Sequence, residues 1–322
     1  MNEFALIDRY FRRATHDPAV RVGIGDDAAV VAPTPGCDLV FSVDMLVEGR
    51  HFLAGVDPAT LGRKTLAVNL SDMAAMGAKP RWALLAGALP DNDERWLGDF
   101  ARGLFALADR FDVALIGGDT TRGPRNLCVT IIGEVPAGTA LTRAGAKAGD
   151  DIFVSGTLGD AALALAVLQG RAKLGGAAMA SARSHLETPE PRVALGELLR
   201  GVASAAIDVS DGLTGDLQHI LDRSGVGAAI DVALIPRSMP LATLIGGGER
   251  DLGLACLLAG GDDYELCFTA SVSSWETLAA ISRDVDIPLA RIGTVTESPG
   301  LVARDEHGVP LIALPGSFDH FG

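Results

Sequence analysis

The sequence predicts a two-domain α+β protein of mixed α/β character, and three observations carry that prediction. Stretches with helical and strand periodicity alternate along the whole chain, separated by turn residues. At 322 residues the chain is long enough for two domains of ordinary size. Near Pro136-Ala-Gly138 the character of the sequence changes, which sets a boundary between residues 1–137 and 138–322.

In the first half, residues 3–13 read as an amphipathic helix with Phe4, Ile7, Tyr10 and Phe11 on one side. Ala28 to Ala32 is strand-like and follows Gly25-Asp26-Asp27. Leu39 to Asp44 is a second strand, in which alternation places Ser42 and Asp44 on one face. Met45 to Phe52 reads as a loop holding Glu48 and His51. Asp57-Pro58 is a helix start and Gly77 a stop, with Leu66, Leu70 and Met73 as the buried stripe and Asn69, Asp72 and Met76 beside it. Asp72 falls near the helix C-terminus, where the macrodipole disfavours an anion by roughly 0.3–1 kcal/mol. A neighbouring cation and ordinary solvation both account for it. Arg81 to Leu89 is an apolar strand, and Asp91 with Glu94 gives a capping-box-like entry to a helix bearing Trp96, Phe100, Leu104, Leu107 and Phe111. Val113 to Ile116 then runs into a glycine-rich turn, Gly117-Gly118-Asp119-Thr-Thr-Arg122, before a strand from Leu127 to Val135.

The second half opens with Leu141 to Asp150, a basic turn in an acidic protein; it is either a solvated loop or an arginine, Arg143, aimed at phosphate. Ile152 to Ser155 is a strand and Gly159-Asp160 starts a helix rich in alanine and leucine. Residues 170–188, rich in alanine and glycine, have the composition of a segment with a mobile stretch, and Pro189 to Arg200 is helical. A strand to Asp208 enters the Val-Ser210-Asp211-Gly212 turn, and the helix from Leu213 to Arg223 offers its N-terminal amides to an anion. Helix and strand alternate onward through Gly260-Gly-Asp262-Asp263-Tyr264-Glu265 to Ser317-Phe318-Asp-His-Phe321.

Composition narrows the function. Hydrophobic residues make up 48% and charged residues 21%, the balance of a globular chain. The net charge of −14, with no basic cluster, argues against a nucleic-acid binder. The longest apolar run, Ala161 to Leu168, is far short of the ~18 residues a membrane span needs. An acidic opening, Met1 to Asp8, lacks the basic and apolar regions of a secretion signal, so a cytoplasmic location is expected. Four cysteines without zinc-type spacing and six histidines without a His-x-x-x-His pair disfavour soft-metal chemistry. The many carboxylates suit hard ions such as Mg²⁺. No phosphate loop, protein-kinase motif or Gly-x-Ser-x-Gly is present, and Gly23-Ile-Gly25-Asp-Asp-Ala28 is rejected as a dinucleotide fingerprint because two aspartates stand where pyrophosphate would lie. An aspartate-lined, glycine-rich site of this kind suits Mg²⁺ and polyphosphate.

The motifs carry a further reading. Gly23-Ile-Gly-Asp-Asp-Ala28, Ser42-Val-Asp44 through Gly-Arg-His51-Phe52, Ala67-Val-Asn-Leu-Ser-Asp72, Ile116-Gly-Gly-Asp-Thr-Thr-Arg-Gly123, Leu141-Thr-Arg143, Ile207-Asp-Val-Ser-Asp-Gly-Leu213 and Gly260-Gly-Asp-Asp-Tyr-Glu-Leu266 occur in order over nearly the whole chain. Together they resemble the thiamine-monophosphate kinase family, within a superfamily that includes aminoimidazole ribonucleotide synthetase and selenophosphate synthetase. The resemblance implies a two-domain fold, a homodimer whose N-terminal sheets form an intersubunit barrel, and ATP bound near the domain and subunit junction. It implies that Asp27, Asp44, Asp72, Asp119, Asp208 and Asp211 hold several Mg²⁺ ions, assisted by Ser42 and the Val43 backbone. Gly118, Asp119, Arg143 and Ser210 would contact ATP, while His51, Asp262 and Phe318 would contact thiamine monophosphate. Asp262 stands where the family usually has glutamate, one methylene longer. The implied reaction is direct in-line phosphoryl transfer giving thiamine diphosphate and ADP, assisted by Asp44, Asp119 and Arg143, with no covalent nucleophile. A sister enzyme is disfavoured by the absence of the N-terminal Cys and Lys of selenophosphate synthetase and of the terminal cysteine of the hydrogenase-maturation relative; a non-catalytic Mg-nucleotide sensor is the remaining rival.

Overall fold

The computed structural model describes residues 3–14 and 17–316. The chain forms two compact units, one of Met1–Met73 with Ala78–Thr139, the other of Ala74–Gly77 with Ala140–Gly322.

In the first unit, α1 (Glu3–Leu6) continues as a π-helical turn, Ile7–Phe11, and is followed by the short strands β1 (Val20–Val22) and β2 (Val30–Val31). Then come β3 (Cys37–Val47), α2 (Pro58–Ala75), β4 (Lys79–Leu89), α3 (Glu94–Arg110), β5 (Ala114–Arg122) and β6 (Asn126–Pro136). The last four strands form one sheet in the order β3-β6-β4-β5. The first three are antiparallel and β5 runs parallel to β4.

Helix α2 is buried on nearly every face, not along one stripe: Lys64, Thr65, Asn69 and Ser71 are enclosed together with Leu66, Leu70 and Met73. Small residues bring its neighbours close. A Cβ on Gly103 of α3 would lie 1.8 Å from the Ala59 carbonyl oxygen, and one on Gly133 of β6 would lie 2.7 Å from the Met73 sulfur. Helix α3 is capped by Asp93, whose carboxylate accepts from the amides of Arg95 and Trp96. The expected cap, Asp91, lies two residues earlier and instead accepts from the Asp93 amide.

Three further expectations in this unit change. The strand around Asp44 extends to Val47, because β6 supplies partners as far as Asn126. The expected 28–32 strand is reduced to β2, which pairs with β1. Most importantly, Gly117-Gly118-Asp119 is not a turn. It lies inside β5, whose ladder with β4 reaches from Trp82↔Ala114 to Leu89↔Arg122. The register slips between Ala83 and Leu84, so that Ile116 is passed over, and Gly118 adopts φ +149°. A Cβ there would lie 1.8 Å from the Leu85 carbonyl oxygen. The glycine permits a close approach of two strands, a role that looks identical to a turn signal in one dimension.

The second unit contains β7 (Asp151–Ser155), α4 (Asp160–Leu168), α5 (Gly176–Glu187), α6 (Val193–Leu199), β8 (Ala203–Asp208), α7 (Leu213–Ser224), β9 (Gly227–Asp231), α8 (Met239–Gly246), α9 (Arg250–Ala259), β10 (Leu266–Ala270), α10 (Trp275–Val285), β11 (Leu289–Thr296) and β12 (Gly300–Arg304). Its six-stranded sheet has the order β12-β9-β11-β7-β10-β8, antiparallel except for the β12/β9 pair. On one face Ile152, Val154 and Ile207 pack with Leu213, Leu217 and Ile220 of α7 and Leu257 of α9. On the other, Phe153 and Phe268 stack at 5.4 Å and Trp275 of α10 meets Phe153 edge-on. Most of the 170–188 stretch is α5, where Ala182 and Leu186 pack on Ala161 and Ala164 of α4. Among the described residues no helix is long and apolar enough to cross a membrane.

Candidate functional site

The residues singled out from sequence fall into three groups. The first is on β3 and α2. Alternation along β3 turns Phe41, Val43 and Met45 outward, while Ser42 and Asp44 face the other way and are half-buried. There the Ser42 hydroxyl donates to the Asp72 carboxylate, and the Asp44 amide donates to Asn69 Oδ1 at 3.2 Å. Asn69 is held in turn by donation to the Thr65 carbonyl, so this buried amide fixes the backbone beside Asp44. His51 closes a turn back onto β3: its Nδ1 accepts from the Val47 amide at 3.0 Å, and its own amide donates to the Val47 carbonyl.

A second group surrounds a cavity of about 980 Å³ in the same unit. Asp27, Gly118 and Asp119 line it together with Arg12, Asp26 and Thr120. The register Asp119↔Ala86↔Cys128↔Met45 puts Asp119 one row away from Asp44, which pairs with Val129 and through it with Leu85 and Gly118. Adjacent rows point to opposite faces, and β3 and β5 are the two edges of the sheet, roughly 14 Å apart at ~4.8 Å per strand. Within one chain Asp44 and Asp119 therefore do not converge. No cluster of three or more His, Cys, Asp or Glu side chains suited to a metal occurs among the described residues.

The third group is in the second unit, where two loops run side by side. Val209 donates to the Glu265 carbonyl at 2.7 Å, Tyr264 to the Val209 carbonyl at 2.8 Å, and Asp262 to the Ser210 carbonyl at 2.9 Å. This pairing brings Asp208, Ser210, Asp211 and Asp262 together. The Gly260–Glu265 loop is strained: Asp262 and Tyr264 both sit at positive φ, 68° and 51°. A Cβ on Gly261 would meet the Ser210 carbonyl oxygen at 2.4 Å. Asp208 is buried at the end of β8, while Arg143 is exposed on a loop whose Thr142 carbonyl accepts from the Ala206 amide. Phe318 lies outside the described residues.

Several buried acids hold these loops, and the sequence reading passed over them. Glu265 is gripped by the Arg192 guanidinium, with Nε at 2.7 Å, and accepts from the Ser155 hydroxyl. Asp263 accepts from the Gly159 amide with both oxygens, and burial pushes its carboxyl well above the ordinary range. The turn before α7 carries its own acceptor. Its amides at Ser210, Asp211 and Gly212 do not face an open site; all three donate to Asp216 Oδ2, at 3.0, 3.0 and 3.1 Å. Burial pushes the Asp216 carboxyl up to about 7, with the neighbouring Asp211 charge adding to the shift and the three amides opposing it. A carboxylate in the first turn of a helix, reaching back to preceding amides, was the signal that could have revealed this.

The chain matches two family profiles, AIR synthase related protein, N-terminal domain, over residues 25–135, and the corresponding C-terminal domain over residues 147–306. It is 46% identical to the thiamine-monophosphate kinase of Escherichia coli over 322 residues, covering 99% of this chain and 98% of that one. The crystal structure of thiamine-monophosphate kinase from Stenotrophomonas maltophilia superposes with a TM-score of 0.87 at 48% identity, covering 97% of this chain and 98% of the other. A ThiL structure described as complexed with AMPPCP and TMP superposes with a TM-score of 0.78 at 28% identity, over 90% of this chain and 89% of that one.

Proposed function

This chain belongs to the thiamine-monophosphate kinase family of AIR synthase related proteins, and on that premise we propose that it transfers the γ-phosphoryl group of ATP to thiamine monophosphate, giving thiamine diphosphate and ADP. The observation that carries the proposal is similarity over 99% of this chain to a relative of that name, a span that takes in both units. The AMPPCP- and TMP-bound neighbour supports the same pair of substrates here.

Chemically, an oxygen of the thiamine monophosphate phosphate forms the new bond to the γ-phosphorus while the bond from that phosphorus to the β–γ bridging oxygen breaks, its electron pair leaving with ADP. The attacking oxygen is ionised at neutral pH, so no general base is required. The obstacle is repulsion between two anions, and relief by positioning and charge neutralisation is the expected source of catalysis.

Mg²⁺ fits the donor set in chemistry. It takes hard oxygen ligands and is commonly bound by one or two carboxylates, completing its shell with water and substrate phosphate. Asp44, Asp72 and the Ser42 hydroxyl on one side, Asp27 and Asp119 around the cavity, and Asp208 and Asp211 in the second unit are the residues that would hold several such ions, with the Val43 backbone assisting. Bound there, Mg²⁺ would neutralise phosphate charge. Arg143 supplies a guanidinium for the nucleotide phosphates, and Gly118 and Ser210 complete the ATP contacts. His51, Asp262 and Phe318 would orient thiamine monophosphate.

A homodimer belongs to the same reading. Its support is the outward row of β3, where Leu39, Phe41, Val43 and Met45 are exposed at 37%, 64%, 59% and 50% on an edge strand, an apolar stripe of the kind that a partner sheet covers.

The deciding experiment follows thiamine diphosphate formation by the purified protein with ATP, Mg²⁺ and thiamine monophosphate, with free thiamine as a parallel acceptor. Product from the monophosphate alone is expected. Absence of product with ATP binding intact refutes the proposal.

A further inference from the structure

Asp216 has no part in the proposed reaction, yet its carboxylate is engaged. It is 3% exposed at the fourth position of α7, and one of its oxygens takes three consecutive backbone amides. Successive amides aimed at one point form a nest, an arrangement suited to an external anion such as phosphate. Here the chain supplies its own anion.

This filling has two consequences. The nest formed by these three amides cannot take a ligand phosphate while Asp216 occupies it. The turn is also pinned: with all three amides committed, the backbone from Ser210 to Gly212 has little freedom, and the same turn is tied to the neighbouring loop by the Asp262 amide on the Ser210 carbonyl. Gly212 contributes by its conformation, φ +115°, and a Cβ there would meet the Ala259 backbone at 2.6 Å. The Thr214 hydroxyl donates to the Leu258 carbonyl and anchors the first turn of α7 to α9. The three amides of the turn and the carbonyls of Ser210 and Gly212 are therefore engaged, while the side chains of Ser210 and Asp211 extend from it.

We propose that Asp216 is a positioning residue: its carboxylate replaces a bound anion in the nest and holds the Ser210-Asp211-Gly212 turn in the conformation that presents Ser210 and Asp211 to the nucleotide. This rests on the kinase reading above for the identity of the ligand, but the pinning of the turn does not.

The test compares Asp216→Ala, which removes the acceptor, with Asp216→Asn, which keeps an acceptor oxygen on the same skeleton without the charge. The buried control is Ile220→Val on the same helix, 0% exposed. Affinity for a non-hydrolysable ATP analogue is measured by titration, and amide exchange of the 207–213 segment is measured on the full chain. For Asp216→Ala the expected results are analogue affinity weakened about ten-fold or more and loss of protection at the three turn amides, with β8 still protected. Asp216→Asn is expected to bind within about three-fold of wild type while its turn amides exchange about ten-fold faster, because a neutral acceptor makes roughly half as strong a bond. Ile220→Val should lower the unfolding midpoint and leave affinity unchanged. If Asp216→Ala does not fold, exchange in Asp216→Asn decides: a turn as protected as in wild type overturns the proposal. So does a folded Asp216→Ala that binds like wild type, or an Ile220→Val that weakens binding equally. None of these readouts needs turnover, so a wild-type protein that makes no thiamine diphosphate would sink the kinase reading and leave this test standing.

Discussion

Gly117 and Gly118 are neighbours in one motif, and the geometry of β5 predicts opposite fates for alanine at the two positions. At Gly117 a Cβ meets only Leu84 Cδ2, at 2.9 Å, the far end of a flexible side chain. Relief there is cheap, and alanine reduces the freedom of the unfolded chain, so the net change should stay within about 1 kcal/mol. At Gly118 the same methyl would lie 1.8 Å from the Leu85 carbonyl oxygen and 2.6 Å from its carbon, backbone atoms inside the sheet. The φ of +149° is closed to alanine as well. Forcing the conformation costs about 1–3 kcal/mol and displacing the strand another 1–3, less up to about 1 for the stiffer unfolded chain, or roughly 2–5 in total. At about 2–4 °C per kcal/mol, Gly118→Ala should lower the midpoint by roughly 4–20 °C. Trp82 reports the event directly: it is 0% exposed on β4 and pairs with Ala114 at the start of β5. The assay is thermal unfolding followed by tryptophan fluorescence for both variants. Equal midpoints for the two would refute the close-approach account and leave nucleotide contact as the reason for Gly118.

Three further outcomes are expected. Asp44→Asn and Asp119→Asn should each lower thiamine diphosphate formation on the order of 100-fold or more with unfolding midpoints unchanged, since each removes a charge from the proposed phosphate-neutralising set; wild-type activity in either removes that residue from the mechanism. Asp17, although its burial opposes ionisation, is held below its ordinary pKa of 3.8 by the Ala19 amide, Arg81 and Trp82 Nε1, so its contribution to stability is present above that value and lost as pH falls through the folded pKa. Asp17→Asn should therefore be less stable at neutral pH and show a shallower acid limb in pH-dependent unfolding, and an acid limb identical to wild type would rule this out. Phe41→Asp, which places a charge in the exposed row of β3, should shift sedimentation velocity from dimer to monomer; an unchanged dimer would mean that β3 is not its interface.

What the sequence made legible was periodicity and punctuation. Asp57-Pro58 and Gly77 bracketed α2 correctly, and the alternation that paired Ser42 with Asp44 is realised in β3. What it hid was tertiary. Gly117-Gly118-Asp119 carries the composition of a turn, and only the neighbouring β4 backbone explains why glycine is needed inside a strand. The stripe on α2 was real but incomplete, because burial of Lys64, Asn69 and Ser71 depends on partners that a single helix does not announce. The turn leading into α7 hid its own acceptor, since local reading supplies the amides of Ser210, Asp211 and Gly212 and cannot say that Asp216 takes all three. The separation of Asp44 from Asp119 was equally invisible, because strand order is a property of the assembled sheet.

Strand order also governs how the second unit can be made on a ribosome. β7 is the first of its strands to emerge, and both of its neighbours, β10 and β11, come much later in the chain. At about 5–20 residues per second, the roughly one hundred residues that separate β7 from β10 take on the order of 10 s to synthesise. For that interval β7 presents a bare row of amides and carbonyls on a strand whose residues are all destined for the interior. The loop pairing that aligns Ser210 with Asp262 waits about half as long, since its second side follows the first by roughly 50 residues. Premature termination between α7 and the end of α9 would therefore leave the second unit with neither its sheet nor that loop pairing, and early docking of the nascent strand by a chaperone would matter more for this unit than for a sheet assembled from successive hairpins.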